Sequence, residues 1–321
     1  RKYKNIIIFS SIISFTTNNN ITKIQKAVAD YYEEVIKLSN NHEWNSKEKF
    51  FLTKLKEELK FIIEVIQNQE NFTNLHDELH EEQIEVYLKG DISIRFIGFV
   101  DKIKYKEREE DTIVAIIDYK TGRKSFSVAS LLYGINMQML IYLFTLWENG
   151  KDKYGEFTPA GVLYYPAKSP LVSAQRGATD EEIEAERQKR CTMTGIVLDN
   201  SEVIKAMDST ESGTYIPVKY KGGEFIGSLI GLSQLEKLKE KADGILAEMA
   251  DALHEGRIEA VPAFGDSYKH VCDYCDYKAV CSYEENIPQR VLFDDDLKTV
   301  LENLEKEDSA DEMDNGPAES D

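Results

Sequence analysis

A chain of 321 residues with 42% hydrophobic content has room for one large or two modest domains around a true core. The formal charge is −19, but Val291 to Asp321 alone holds twelve acids and two lysines, so the body of the chain is only mildly acidic. That balance argues against non-specific nucleic-acid binding by bulk charge, while local basic clusters or bound metal ions can still recruit phosphate.

The chain opens on Arg1 rather than Met, so it reads as a fragment or a processed chain. "RKYKNIIIFSSIISF" has the basic start and short apolar run of a signal peptide, but no small-residue cleavage site follows in "TTNNN". The alternative is a buried strand or helix end. The run is well short of the roughly 20 residues that span a bilayer, so no membrane segment is expected and the chain reads as cytoplasmic.

From Ile21 to about Asn68, "IQKAVADYYEEVIKL" and "EKFFLTKLKEELKFIIEVI" repeat apolar residues at three- and four-residue spacing, which predicts amphipathic helices. "QIEVYLKG", "ISIRFIGFVDKIKY" and "TIVAIIDYK" are short, β-branched and aromatic, and predict a three-stranded antiparallel meander. "VASLLYGINMQMLIYLFTLWENG" returns to helical spacing and stops at Asn149 and Gly150; "PAGVLYYPA", closed by Pro166, predicts a fourth strand. A charged helix over 179–190, a long helix in "LSQLEKLKEKADGILAEMADALHEG", a cysteine-rich knot and the acidic tail complete the order. No internal repeat and no Walker-type phosphate loop interrupts it.

The meander ends in an anomaly. The apolar run Ile113 to Ile117 stops at Asp118 and Lys120, whose desolvation costs several kcal/mol per unpaired charge. If the preceding hairpin turns at Glu109 and Glu110, residues whose numbers sum to about 219 face each other, and Asp101 lies opposite Asp118. Directly paired residues have Cβ atoms about 4.5–5.5 Å apart, where two carboxylates repel unless one is protonated or a cation sits between them. Mg²⁺ or Mn²⁺ is the natural occupant. Period-2 alternation puts Lys120 on the same face, beside that site, an arrangement suited to phosphodiester hydrolysis. The residues alone also allow an ordinary surface pair of Asp118 and Lys120 at a solvated strand end.

"GFVDKIK", then "IIDYKTG", then "GINMQMLIYLF" closely resembles the three motifs of RecB-type nucleases in the PD-(D/E)XK superfamily: G-x-x-D, D-x-K and Q-x-x-x-Y. The resemblance implies an α/β nuclease core, a central mixed sheet flanked by helices. It makes Asp101 and Asp118 metal ligands, Lys120 the catalytic lysine, and Gln138 with Tyr142 a helix pair that supports the site or contacts DNA. By spacing alone, those two are a polar i, i+4 pair in an apolar helix. The family also has a metal-ligand histidine on a helix before the meander. His42, His76 and His80 stand in polar text and receive no role here.

"HVCDYCDYKAVCSYE" spaces Cys272, Cys275 and Cys281 as C-x2-C-x5-C, three of four ligands for a tetrahedral metal. His270 or Cys191 could complete a Zn²⁺ site. The pattern also resembles the C-terminal end of AddB-type subunits of AddAB helicase–nucleases, where three such cysteines and one far upstream hold a [4Fe–4S] cluster. That resemblance makes Cys272, Cys275 and Cys281 cluster ligands, the fourth being outside this chain, and leaves Cys191 as a packing residue. It runs from about residue 80 to 285, with "PAGVLYYPA" and "MTGIVLDN" beside the motifs.

The resulting division is a truncated helical region over 1–79, a nuclease domain over 80–285 with its iron–sulfur segment at 270–285, and an acidic tail over 286–321 without stable structure. The implied activity is an exonuclease degrading the 5′-terminated strand behind an AddA-like helicase–nuclease partner, as a heterodimer, in double-strand-break repair and recombination. A stand-alone Cas4-like exonuclease and a non-catalytic DNA-binding or scaffold module are the rivals. Lys102, Lys104, Lys106 and Arg108 after Asp101, and Arg123 and Lys124 after Lys120, fit a DNA channel beside the site; alternating lysines are also an ordinary solvated face.

Overall fold

The computed structural model describes residues 45–89, 93–120, 126–265, 272, 275–281 and 290–314. The expected helix in "IQKAVADYYEEVIKL", the N-terminal apolar run, His42, His270, Arg123 and Lys124 lie outside them.

Helix α1 (Ser46–Glu70) starts at a capping box. Asn45 Oδ1 accepts from the Glu48 amide at 3.0 Å, and Glu48 accepts from the Asn45 amide at 2.9 Å. Phe61, Ile62, Val65 and Ile66, three and four apart, form its buried stripe. The meander follows as β1 (His76–Lys89), β2 (Ser93–Glu107) and β3 (Thr112–Lys120).

The next helix is not continuous. It divides into α2 (Ala129–Leu132) and α3 (Gln138–Asn149), because Gly134 and Asn136 between them take φ of 71° and 57°. Helical backbone cannot pass through that left-handed region, and glycine and asparagine are the residues that enter it most readily.

After α4 (Lys151–Tyr154) comes β4 (Phe157–Pro166), then α5 (Asp180–Lys189), capped by Thr179 and without a buried residue. Strand β5 (Thr194–Leu198) and α6 (Ser201–Met207) lead to the hairpin of β6 (Val218–Lys221) and β7 (Glu224–Gly227). The chain continues through β8 (Leu229–Ile230), the long α7 (Leu232–His254), β9 (Ala263–Phe264), α8 (Lys278–Cys281), β10 (Arg290–Val291) and α9 (Leu297–Asp314).

The main sheet has the order β1-β2-β3-β4-β5-β8 and is mixed: β2 and β5 run antiparallel to their neighbours β3 and β4, while β3 and β4 are parallel. Central β3 is buried from Thr112 to Asp118, which explains its nearly unbroken apolar text. Glycine fixes the β4–β5 contact. Gly161 (φ 141°) lies against the Ile196 carbonyl and Gly195 (φ 156°) against the Val162 carbonyl, so a Cβ at either would collide with backbone.

The chain forms two interleaved units: Arg1–Gln83, Phe99–Ser125 and Gly150–Leu229 in the first, Ile84–Gly98, Phe126–Asn149 and Ile230–Asp321 in the second. This division differs from the linear one expected at 79 and 285. In the first unit, Ile113, Ala115, Ile117, Leu163, Val197 and Ile204 belong to the core on which α1 packs. In the second, α7 turns Leu235, Leu238, Ala242, Leu246 and Ala250 inward and packs with α2, α3 and α9. The acidic tail is therefore not structureless from 286. Val300, Leu301 and Leu304 of α9 are buried, and Gln234 donates to Glu305 at 2.7 Å. A stripe of apolar residues three and four apart overrides the high charge around it.

Candidate active site

The β2–β3 ladder pairs Lys102 with Ile117, Ile103 with Ile116 and Lys104 with Ala115, the register that a turn at Glu109 and Glu110 demands. One step further brings Asp101 opposite Asp118. The Asp101 carboxylate accepts from the Tyr119 amide at 3.0 Å, which fixes it against the end of β3.

Asp118 is only 4% exposed. Its Oδ2, shielded from solvent, is met by the ammonium of Lys120 two residues on, on the same face of β3. The Lys120 ammonium also stands over the ring of Tyr164, 5.0 Å from its centroid. Tyr164 is the β4 partner of Asp118 in the parallel ladder, and burial, then the Asp118 charge, pushes its hydroxyl up to about 12. Two carboxylates and an ammonium thus share one end of a buried strand, against an aromatic wall. Sequence reasoning missed Tyr164. It stands in "PAGVLYYPA", but which β4 residue meets Asp118 depends on a parallel register that sequence spacing does not reveal.

Lys102 and Lys104 occupy the opposite face of β2. They are 1% and 2% exposed, and both donate to Glu70 at the end of α1, at 3.2 Å and 2.7 Å. This corrects the expectation that they line a DNA channel, because an ammonium buried on a carboxylate is not presented to phosphate. Arg108 is likewise engaged: its guanidinium makes two bonds of 2.6 Å to Asp111 and one of 2.8 Å to Glu202.

Gln138 and Tyr142 belong to the second unit, and Gln138 donates to the Tyr142 hydroxyl at 2.9 Å across one turn of α3. The buried Tyr142 ring lies over Gly98, so closely that a methyl group there would collide with it. The glycine of G-x-x-D and the tyrosine of Q-x-x-x-Y are therefore partners in packing.

Cys272, Cys275 and Cys281 are at least partly exposed, whereas Cys191 is buried in the core of the first unit. Burial, followed by the nearby Glu184 charge, pushes the Cys191 thiol up to about 11. Backbone bonds from the Cys275 amide to the Cys272 carbonyl and from the Cys281 amide to the Tyr277 carbonyl fold the cysteine segment into successive turns. Among the described residues, no three His, Cys, Asp or Glu side chains gather closely enough to hold a metal ion. Asp101 and Asp118 remain a pair. A pair fits Mg²⁺, which keeps several waters and takes one or two carboxylates together with phosphate oxygens. Among the described residues, no helix is long and apolar enough to cross a membrane.

Residues 16–282 match the family model of the PD-(D/E)XK nuclease superfamily. The chain is 31% identical over 208 residues to a subunit, AddB by type, of the ATP-dependent helicase/deoxyribonuclease of Thermoanaerobacter sp. (strain X514), a match covering 63% of this chain and 18% of that protein. It is 32% identical over 208 residues to the same-named subunit of Caldanaerobacter subterraneus subsp. tengcongensis, again with 63% and 18% covered. For the subunit of Clostridium perfringens (strain SM101 / Type A) the identity is 32% over 212 residues, with 64% and 18% covered. The match thus spans less than a fifth of the length of these relatives. A match over most of this chain, on a mixed sheet flanked by helices, places it in the family: the chain is a member of the PD-(D/E)XK nuclease superfamily.

Proposed function

We propose that this chain hydrolyses DNA phosphodiester bonds with a divalent metal ion, as the nuclease part of an ATP-dependent helicase–nuclease in double-strand-break repair. The observation that carries the reading is the pairing of Asp101 with Asp118 on adjacent strands, with the Lys120 ammonium on the same face. Asp101 and Asp118 would hold Mg²⁺, which when bound lowers the pKa of a coordinated water and polarises a phosphoryl oxygen. Lys120 offers a cation to a phosphate oxygen as negative charge develops there, in a partly desolvated setting where such charge is worth more than in water. The Tyr119 amide holds Asp101 in place. An AddA-like helicase subunit is the partner, following the names of the relatives.

The test is cleavage of single-stranded DNA by the purified chain with Mg²⁺ and with EDTA. Asp118→Ala and Lys120→Ala should each lower turnover by at least about 100-fold while melting as the parent does. Equal cleavage by the parent and Asp118→Ala would sink the assignment.

A second reading is a DNA-binding scaffold with a silent site, favoured by the gathering of two carboxylates rather than three among the described residues. It requires DNA binding without Mg²⁺-dependent cleavage in the same assay. For Cys272, Cys275 and Cys281 the reading is a [4Fe–4S] cluster, with Zn²⁺ as the alternative, supported by C-x2-C-x5-C spacing and the turns that carry it. Anaerobically purified protein should be brown, lose iron on substitution of any of the three, and keep it in Cys191→Ser. A colourless protein with one equivalent of zinc would select the alternative.

A further inference from the structure

The family motifs end at Lys120 and resume at Gln138, so nothing in them accounts for what holds the lysine side chain. Its stem has four carbons and about 2 kcal/mol of rotamer entropy. Its neighbour Asp118 is the very group that a cation or a phosphate-bound ligand would engage. A lysine held only by that carboxylate would swing toward solvent, to which its side chain is already 22% exposed, whenever Asp118 is occupied.

We infer that Tyr164 is the positioning residue for Lys120: the face of its buried ring carries the ammonium and keeps it beside Asp118. This rests on the reading of Lys120 as the catalytic lysine. Three observations lead to it. The ammonium lies over the ring, 5.0 Å from the centroid, within the range of cation–π attraction. Tyr164 is 4% exposed and sits between strands, paired with Asp118 on β3 and Thr194 on β5, so its ring is fixed. The Ala167 amide donates to the Lys120 carbonyl at 2.9 Å, tying the end of β3 to the end of β4 just past the tyrosine.

An aromatic face suits this task for an electrostatic reason. A carboxylate in its place would hold the ammonium more strongly but would cancel its charge and repel a phosphate. A neutral ring attracts the cation through its quadrupole and leaves the full positive charge available to the substrate.

The ring, not the hydroxyl, is therefore the required part, and the experiment separates the two in the 321-residue chain. With ¹³C-labelled lysine, and Lys120 assigned through Lys120→Arg, its ε-methylene protons should be shifted upfield by the ring in the parent and in Tyr164→Phe. In Tyr164→Leu they should return to the position of solvent-exposed lysines. Turnover on single-stranded DNA should fall about tenfold in Tyr164→Leu with KM changed less than about twofold, and Tyr164→Phe should restore it to within about twofold. An unshifted Lys120 resonance in the parent, or equal turnover in the Phe and Leu variants, would overturn the inference. Parent-like cleavage by Lys120→Ala would instead overturn the catalytic reading of Lys120. The spectroscopic measurement makes no use of cleavage, so the two failures are told apart.

Discussion

Glu70 faces two lysine ammonium groups that are almost completely withdrawn from water. Removing the counter-charge of a buried ion pair costs about 3–5 kcal/mol, more than the pair itself contributes, because the remaining charge stays desolvated. Glu70→Gln should therefore lower unfolding free energy by about 3 kcal/mol in urea titrations, while Lys102→Met, which keeps the stem and deletes a charge, should cost far less. DNA affinity of Lys102→Met should show the parent's salt dependence, since a buried lysine releases no counterions from DNA. A change of less than about 0.5 kcal/mol for Glu70→Gln would remove the network from the account of stability. Cys191 gives a second residue-level test. Its thiol is buried and pushed up to about 11, so an aromatic disulfide reagent at pH 8 should leave it unmodified until the protein unfolds. Residues of these two kinds differ in how far they could be read from sequence. Asp101 and Asp118 could be paired by counting from a symmetric turn, because an antiparallel hairpin converts local spacing into position. Lys102 and Lys104 could not, because the carboxylate that buries them is 32 and 34 residues away on a helix.

At the scale of elements, the β2–β3 hairpin is closed by a charge cluster at its far end from the site. Arg108 grips Asp111 with two bonds of 2.6 Å, and Asp111 accepts from Thr158 of β4, so the turn is tied to the neighbouring strand. The hydrogen bonds from Arg108 are the main cause that holds the Asp111 carboxyl below its ordinary value of 3.8. A carboxyl depressed on folding adds stability above its unfolded pKa and loses it as pH falls through the folded one. Asp111→Asn should thus be less stable than the parent at pH 7, and the difference should shrink progressively below about pH 4. Equal spacing of the two stability curves from pH 7 to pH 2 would show that charge at Asp111 is not responsible. A second joint is Gly98 under the ring of Tyr142. Gly98→Ala should cost about 1–3 kcal/mol by overpacking, and Tyr142→Leu should relieve part of that cost in the double variant. Simple additivity of the two would separate glycine from ring. Strands, α1 and α7 were legible because periodicity and capping are local. The division of α2 from α3 was missed because Gly134 and Asn136 sit within an otherwise regular apolar pattern, where their positive φ leaves no trace in hydropathy.

At the scale of the molecule, the chain visits its two units alternately, so neither the division at 79 nor the one at 285 could appear as a composition shift. The C-terminal segment shows what this does to a reading by charge. Residues from Val291 onward carry twelve acids, yet Arg290 and Val291 pair in parallel with Ala263 and Phe264, so the two strands close off the intervening stretch that bears Cys272, Cys275 and Cys281. Beyond them, Val300, Leu301 and Leu304 lie buried at 0%, 7% and 6% exposure, in a helix that packs with α7. At about 1.5–3 kcal/mol for each large apolar side chain withdrawn from water, these three contribute about 5 kcal/mol or more, comparable to the whole stability of a modest domain. A chain shortened to residues 1–289 should therefore lose hydrogen-exchange protection along α7 and melt at a lower temperature. Leu304→Ala alone should cost about 2–4 kcal/mol in the full chain, a cavity effect that no disordered tail could produce. The same shortened chain, purified anaerobically, keeps all three cysteines but lacks the strand that pairs with β9, so its iron content should fall although no ligand has been removed. Unchanged α7 protection and an unchanged melting temperature in the shortened chain would mean that the last helix contributes charge and nothing to the fold.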